Sequence, residues 1–142
     1  MKMNSLASKI KAANHVLLSE GNHDAVKEFF APDYIAHLTG RDVAGGHKLV
    51  RGLLELYQDA FPHPKVEVEI LMEGADRVAW QRTIRARQEG PINGFPASGR
   101  EIAWRDVVIS HFRDGLIAEE WVISDLAEQL LLSRKKTSST TD

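Results

Sequence analysis

The side chains best suited to chemistry lie around one segment near the end of the chain, residues 111–125. Asp125 follows Trp121 and Ile123, and burial among apolar neighbours raises the pKa of a carboxyl group towards the range where it can move protons. His111 could carry a second proton or stabilise an oxyanion. Each residue also has a purely structural interpretation, since aspartate is a favoured helix N-cap and a histidine close to a turn is often solvated.

Cationic and aromatic side chains could bind a ligand beside these groups. Arg82 lies among apolar residues in an alternating segment, where a cation needs a partner. Arg82 and Arg105 could hold an enolate or a substrate carboxylate by fixed positive charge, or they could form structural ion pairs with carboxylates such as Asp106. Trp80 and Trp121 could stack on a flat ligand, although core packing is a common role for tryptophan.

The composition excludes several other kinds of chemistry. The 142 residues carry a formal net charge of -2 and no concentrated basic patch, so we expect no nucleic-acid partner. Without cysteine there is no disulfide and no thiolate nucleophile. No histidine pair has the spacing of zinc enzymes, and we expect no metal. No segment approaches the roughly 20 apolar residues of a membrane span, so we expect a cytoplasmic chain with no membrane contact.

Helical spacing of apolar residues predicts three helices in the first half of the chain. The first follows Ser5 and ends at Gly21, and a short second helix runs from Asn22 to before Pro32. Residues 34–38 are predicted to be extended and residues 40–46 to form a loop. The third helix covers residues 49–60.

From Val66 the apolar period changes to two, which predicts antiparallel strands up to Ser124. A loop at residues 91–99 is long enough to cover a pocket mouth. The chain is therefore predicted to be one domain, residues 1–142, of the α+β class, with helices across the concave face of a curved antiparallel sheet that encloses a pocket. The polar tail, residues 134–142, is predicted to be disordered.

The turn at Asp114-Gly115 decides which side chains of the last hairpin share a face. A two-residue loop is possible, but we favour a three-residue loop, residues 113–115, that pairs Phe112 with Leu116. Asp125 and His111 would then lie roughly 25 Å apart along the ladder, too far for a direct hydrogen bond unless the strands curl strongly. This register gives a face that could line a catalytic pocket: Ala103, Arg105, Val107, Ile109, His111, Ile117, Glu119, Trp121, Ile123 and Asp125.

The chain resembles the SnoaL-like polyketide (ester) cyclases of the nuclear-transport-factor-two-like superfamily over roughly Ser5 to Leu132. The order and spacing of several short segments carry this resemblance. They are Tyr34-Ile-Ala-His37, Gly45-Gly-His47, Ala60-Phe-Pro62, Phe95-Pro-Ala-Ser-Gly-Arg100, Phe112-Arg-Asp-Gly115, Glu120-Trp121 and Asp125.

The resemblance implies a cone-shaped α+β barrel, usually dimeric, that closes a ring of a polyketide ester by intramolecular aldol condensation without metal or cofactor. Asp125 matches the family's catalytic aspartate and His111 a pocket histidine. His37 falls where a polar pocket residue sits, and Tyr34 opens the same segment. The expected ligand is a small apolar or aromatic carbonyl compound. Residues 85–90 depart from the family's Thr-His-x-Gly segment, which bears on the substrate.

Two other functions fit the same fold. Epoxide hydrolysis in related proteins uses two aspartates and an arginine, for which Arg105, Asp106 and Asp125 are the nearby set. Adjacent Arg105 and Asp106 point to opposite faces of a strand, which argues against it. The third possibility is a non-catalytic ligand-binding or dimerisation module.

Overall fold

Within residues 5–140, four α-helices and two short irregular turns supply the helical layer. The computed structural model describes residues 5–140, with side chains as far as Arg134. Ser5 begins the first helix as predicted, because its hydroxyl accepts a hydrogen bond from the Ser8 backbone N–H. The helical elements are α1 (Leu6–Asn14), a π-helical turn (His15–Ser19), a 3₁₀ turn (His23–Ala25), α2 (Val26–Phe29), α3 (Gly46–Ala60) and α4 (Leu126–Thr140).

Six strands form one sheet within the described residues, in the order β2-β1-β6-β5-β4-β3. The long central hairpins were predicted from period-two alternation, and their strands lie where that pattern places them. The strands are β1 (Phe30–Leu38), β2 (Arg41–Ala44), β3 (Lys65–Glu73), β4 (Arg77–Arg87), β5 (Glu101–Arg113) and β6 (Leu116–Ser124).

The first two strands correct the predicted order of elements. β1 and β2 lie between the second and third helices, and β2 occupies the segment predicted to be a loop. β1 pairs parallel with β6, so the sheet is mixed rather than antiparallel. The β1–β6 register shifts between Phe30 and Ile35, a stretch that contains Pro32, which has no N–H to donate to a ladder.

The last hairpin has a two-residue turn, and the three-residue loop is wrong. Asp114 and Gly115 have φ angles of 55° and 78°, as a type I′ turn requires, and Phe112 pairs with Ile117. The extra residue lies farther along β6, because His111 pairs with Glu119 and the register shifts at Ala118. This bulge restores most of the predicted face, but Ile117 moves to the opposite side.

The two faces of the sheet have opposite environments. Even-numbered residues of β5, from Ile102 to Phe112, are buried, whereas Arg105, Val107 and Ile109 are exposed. The face predicted to line a pocket is therefore the outer face. The helices cover the inner face, where Ile10, Val26, Trp80, Val108 and other buried residues form the larger apolar core.

The predicted α+β class, with a cone-like curved sheet and helices on one face, is confirmed. A second apolar core lies at the other end of the inner face, where α4 and the loop after β4 pack around Phe61, Trp104 and Leu130. Helix α4 extends to Thr140 over most of the predicted tail, whose last two residues lie outside the described part. No helix within residues 5–140 is long and apolar enough to cross a membrane.

Candidate functional site

A cavity of about 400 Å³ lies between the helices and the inner face of the sheet. Its walls are mostly apolar, which suits an apolar ligand. A few polar side chains interrupt these walls at β1, β4, β5 and β6. The main apolar lining residues are Leu17, Leu18, Phe30, Val50, Leu53, Leu54, Phe61, Ile84, Trp104 and Val122.

An arginine–aspartate pair forms the charged part of the lining. Arg82 on β4 and Asp106 on β5 are direct cross-strand partners. The Arg82 Nε and Nη2 atoms donate to the same oxygen, Asp106 Oδ2, at 3.0 and 2.7 Å. The third donor, Nη1, donates to Asn14 Oδ1 at 2.9 Å. The guanidinium is therefore held from two sides.

The second oxygen of Asp106 remains open. Asp106 Oδ1 accepts no hydrogen bond from the residues that the structure describes. Every fully buried polar side-chain atom in that part of the chain has a partner, so this oxygen must be accessible. Asp106 lines the cavity and is only 5% exposed. A carboxylate oxygen therefore faces a largely apolar cavity, as a proton acceptor needs.

A second polar group consists of Tyr34, Glu120 and Ser110. The Tyr34 hydroxyl donates to Glu120 Oε1 at 2.8 Å, and the Ser110 hydroxyl donates to Glu120 Oε2 at 2.5 Å. Ser110 in turn accepts a hydrogen bond from Trp80 Nε1 at 2.9 Å. Tyr34 and Glu120 line the main cavity. Trp80 lies behind it, beside a smaller void of about 80 Å³.

Burial sets the protonation of this second group. Burial raises the pKa of Glu120, and this effect outweighs the hydrogen bonds from Ser110 and Tyr34 and the positive charge of Arg82. Burial, followed by the nearby Glu120 charge, raises the pKa of Tyr34 so that its hydroxyl keeps its proton. The cavity thus combines a carboxylate paired with arginine and a carboxyl group that favours its protonated form.

Of the predicted ligand-binding residues, Tyr34 and Arg82 line the cavity and Trp80 packs beside it. Arg82 has the buried partner that its apolar surroundings required. Arg105 lies on the outer face and is exposed. The set considered for epoxide hydrolysis is divided, because only Asp106 among its three residues lines the cavity.

Asp125 does not line this cavity, contrary to the expectation for a catalytic group in an apolar chamber. It stands immediately before α4, where its Oδ1 accepts the Arg105 backbone N–H at 2.7 Å. Its Oδ2 accepts a hydrogen bond from the Gln129 side chain at 3.2 Å. Both oxygens are thus used to join β5, β6 and α4. The physical reason is the register, which places Asp125 opposite Arg105 at the end of the outer face.

His111, His37 and Trp121 also lie on the outer face, away from the cavity lining. His37 contacts Asp42 and Glu119, both at 2.8 Å, and His111 contacts Glu119 at 3.1 Å and Asp76 at 3.2 Å. Hydrogen bonds to Glu119 and Asp42 raise the pKa of His37, and the His37 bond lowers the pKa of Glu119. Trp121 stacks on His37 with ring centroids 4.7 Å apart.

The sequence interpretation missed Glu120, Asn14 and the cavity role of Asp106. One signal was available, because an inward-facing Arg82 requires a carboxylate on the inner face of a neighbouring strand. Asp106 shares the parity of Trp104 and was named only as a possible ion-pair partner and as a member of the set considered for epoxide hydrolysis. No set of three or more histidine, aspartate or glutamate side chains in the described residues could hold a metal ion.

Comparison with known proteins agrees with this fold and cavity. A protein-family model described as SnoaL-like polyketide cyclase matches residues 9–131. A comparison with curated proteins gave no match. A proposed polyketide cyclase from Acidithiobacillus ferrooxidans has a TM-score of 0.78 at 21% identity, covering 90% of this chain and 93% of that chain. At that identity the similarity concerns the fold alone.

Two further solved structures are slightly more similar in sequence. IdmH, a proposed polyketide cyclase from Streptomyces antibioticus, is 27% identical, covers 91% of this chain and 97% of its own, and has a TM-score of 0.73. AclR, a proposed hydroxylase from Streptomyces galilaeus, is 25% identical, covers 92% of this chain and 87% of its own, and has a TM-score of 0.76. The same architecture therefore occurs in proteins with different proposed activities.

Proposed function

Because the chain belongs to the SnoaL-like polyketide cyclase family, we propose that it is a cofactor-independent acid/base enzyme that closes a ring by intramolecular aldol condensation. The observation that carries this proposal is the open oxygen of Asp106 in an apolar cavity, with the other oxygen held by Arg82. Asp106 therefore takes the catalytic role that the sequence assigned to Asp125. His111 has no role in this proposal because it lies on the outer face.

The reaction uses the two polar groups in turn. Asp106 removes a proton from a carbon beside a carbonyl group, and the fixed charge of Arg82 stabilises the developing anion. The enolate carbon attacks a second carbonyl carbon of the same molecule, which forms the ring bond and an alkoxide. Tyr34 gives its hydroxyl proton to that alkoxide and takes the proton of the neutral Glu120 carboxyl group, and the proton held by Asp106 later restores Glu120. Atoms and charge balance without a cofactor.

The cavity favours an uncharged substrate. Three of the five N–H groups of the Arg82 guanidinium donate to protein oxygens, and its charge is paired with Asp106, so no unpaired cation is offered to a substrate carboxylate. Most of the remaining wall residues are aliphatic or aromatic, and the other polar ones are His23, Thr39, Gln58 and Ser124, none of which carries a fixed positive charge. The ligand class that follows is a small apolar or aromatic carbonyl compound.

The test compares Asp106→Asn with Asp125→Asn, since both changes keep size and remove a carboxylate. We expect Asp106→Asn to lower turnover of a β-keto ester substrate by about 10²-fold or more, while an apolar probe such as 2-naphthol still binds. Asp125→Asn should keep turnover near the wild-type rate. Loss of turnover in Asp125→Asn alone would contradict the proposal and return the catalytic role to Asp125.

We also infer that two copies of the chain pair through the outer face of the sheet. Val107, Ile109 and Ile123 are 38%, 41% and 67% exposed there. Exposed Arg85, Arg87 and Arg105 outnumber Glu101 at one end of this face, and Asp42 and Asp76 outnumber Arg77 at the other. A two-fold axis that runs across the strands brings the arginine end of one copy against the carboxylate end of its partner.

A further inference from the structure

We propose that Asn14 is a positioning residue, which fixes the guanidinium of Arg82 so that one Asp106 oxygen is held and the other stays open to the cavity. This inference rests on the proposed role of Asp106 as the proton acceptor. Asn14 makes no hydrogen bond to the open oxygen, and its hydrogen bond to the guanidinium is the contact through which it acts on Asp106.

The orientation of the Asn14 amide is determined by two contacts. Its Nδ2 donates to the Ile10 carbonyl at 2.9 Å, so its Oδ1 faces Arg82 Nη1, also at 2.9 Å. A flipped amide would place an NH₂ group against the guanidinium and an oxygen against a carbonyl. Asn14 is only 6% exposed, so water has little access to replace either contact. The amide is therefore a fixed acceptor for Nη1.

The contact with Nη1 controls how Arg82 meets Asp106. The observed pair is one-sided, since both Nε and Nη2 donate to Oδ2. An arginine beside a carboxylate commonly forms two parallel hydrogen bonds, one to each oxygen. A small rotation of the guanidinium would produce that arrangement and occupy Oδ1. Asn14 opposes this rotation by holding the far side of the group.

The local sequence is difficult to explain by helix formation alone. Asparagine is a weak helix former, yet Asn14 is the buried last residue of α1, directly before the π-helical turn at residues 15–19. Such turns occur frequently at functional sites. Burying a polar amide at this position is unfavourable, and its hydrogen bond to Arg82 explains why it is there.

Two substitutions at this position should act in opposite directions. Asn14→Leu keeps the volume and removes the acceptor, so Arg82 should bind both Asp106 oxygens and stabilise the carboxylate. Asn14→Asp keeps the acceptor and adds a negative charge that competes for Arg82. We expect the acid limb of the pH–rate profile to move to lower pH with leucine and to higher pH with aspartate. Leucine should lower kcat roughly 10-fold to 100-fold with little change in KM.

The control is Ile10→Val, which loosens the same buried face of α1 and leaves the amide in place. The titration of the Asp106 carboxyl group, followed by ¹³C NMR, gives a readout that needs no substrate. Opposite displacements for leucine and aspartate, with none for valine, support the proposal. The proposal is overturned if the Asp106 titration does not move in either Asn14 variant, or if it moves equally in all three variants. If Asn14→Leu does not fold, the result for Asn14→Asp decides alone.

These results separate the two proposals. If Asp106→Asn keeps full turnover, Asp106 is not the proton acceptor and the proposed function fails. The NMR titration still reports whether Asn14 sets the geometry of the Arg82–Asp106 pair.

Discussion

Ionisation of the buried Glu120 carboxyl group lowers the stability of the folded protein, and its neighbours on the inner face do not offset this effect. Because burial raises its pKa above the ordinary value of 4.5, the folded state favours the protonated carboxyl group. Its contribution to stability is complete below the unfolded pKa and is lost as pH rises through the folded value. At neutral and higher pH the protein therefore keeps this carboxyl group at the expense of stability, as catalytic groups often require.

Glu120→Gln should stabilise the protein and impair its activity. Glutamine is neutral at every pH and can still bond to Tyr34 and Ser110, so we expect about 1 kcal/mol more stability at pH 8, or roughly 3 °C in Tm. The gain should shrink towards pH 5. Thermal melts across this range measure it.

Glu119→Gln is the matched control with the opposite sign. The pKa of Glu119 is lowered, chiefly by its bond to His37, so its contribution is present above pH 4.5 and is lost as pH falls through the folded value. This variant should lose stability at neutral pH. If the change in stability depended on pH in the same way in both variants, the opposite pKa shifts of Glu119 and Glu120 would be contradicted.

Some site residues could be predicted singly but not as a group. Arg82 stood out because a cation in an apolar alternation needs a partner. Asp106 and Glu120 alternate with exposed residues of similar character, and nothing local marks their side of the strand. The role of Asn14 depends on a contact with a residue 68 positions away, which no local pattern encodes.

At the scale of elements, the β5–β6 hairpin shows why the face was assigned wrongly. The strands and the position of the turn were predictable from β-branched residues and from Asp114-Gly115, but the length of the turn was not. The bulge at Ala118 has no comparable signal, and it restores most of the predicted grouping of side chains, so the error lay in which side of the sheet the helices cover. The outer face also carries Val107, Ile109 and Ile123, so its apolar content resembled that of a buried face.

Gly115→Ala should destabilise the hairpin. Gly115 has a φ of 78°, where an L-residue costs about 1–2 kcal/mol, and the added methyl group would meet only the flexible end of Lys9. Denaturant unfolding should show a loss of about 1 kcal/mol. Gly52→Ala is the control: this glycine lies in α3 with open space around it, and alanine there should add up to about 1 kcal/mol. A similar change in both variants would contradict the turn assignment.

At the scale of the whole molecule, the class of fold and the existence of a cavity followed from the order of helices and strands. The mixed sheet did not follow, because the β1–β6 pairing joins residues more than 80 positions apart. Which face of the sheet the helices cover is set by packing between residues far apart in the chain, such as Ile10 and Val26 with Trp80 and Val108. The location of the cavity therefore required the complete structure.

The outer face gives a prediction for the assembly. Ile123→Glu places a carboxylate at the most exposed apolar position among the central strands and should convert a dimer to a monomer, as measured by light scattering after size-exclusion chromatography. Leu131→Glu is the control, because Leu131 is 47% exposed on α4 and lies away from this face. A wild-type chain that stays monomeric at high concentration would contradict the pairing.

Gln88 has a further consequence for the loop at residues 91–99, which is long enough to cover a pocket mouth and packs against the second core. The Gln88 side chain is 1% exposed and donates to the carbonyl groups of Gly90 and Pro96, both at 3.1 Å. The loop and the Gln88 side chain thus form one structural unit. If the loop of a relative replaces residues 91–99, residue 88 must be exchanged with it. Otherwise the buried Gln88 amide loses its hydrogen-bond acceptors in the loop.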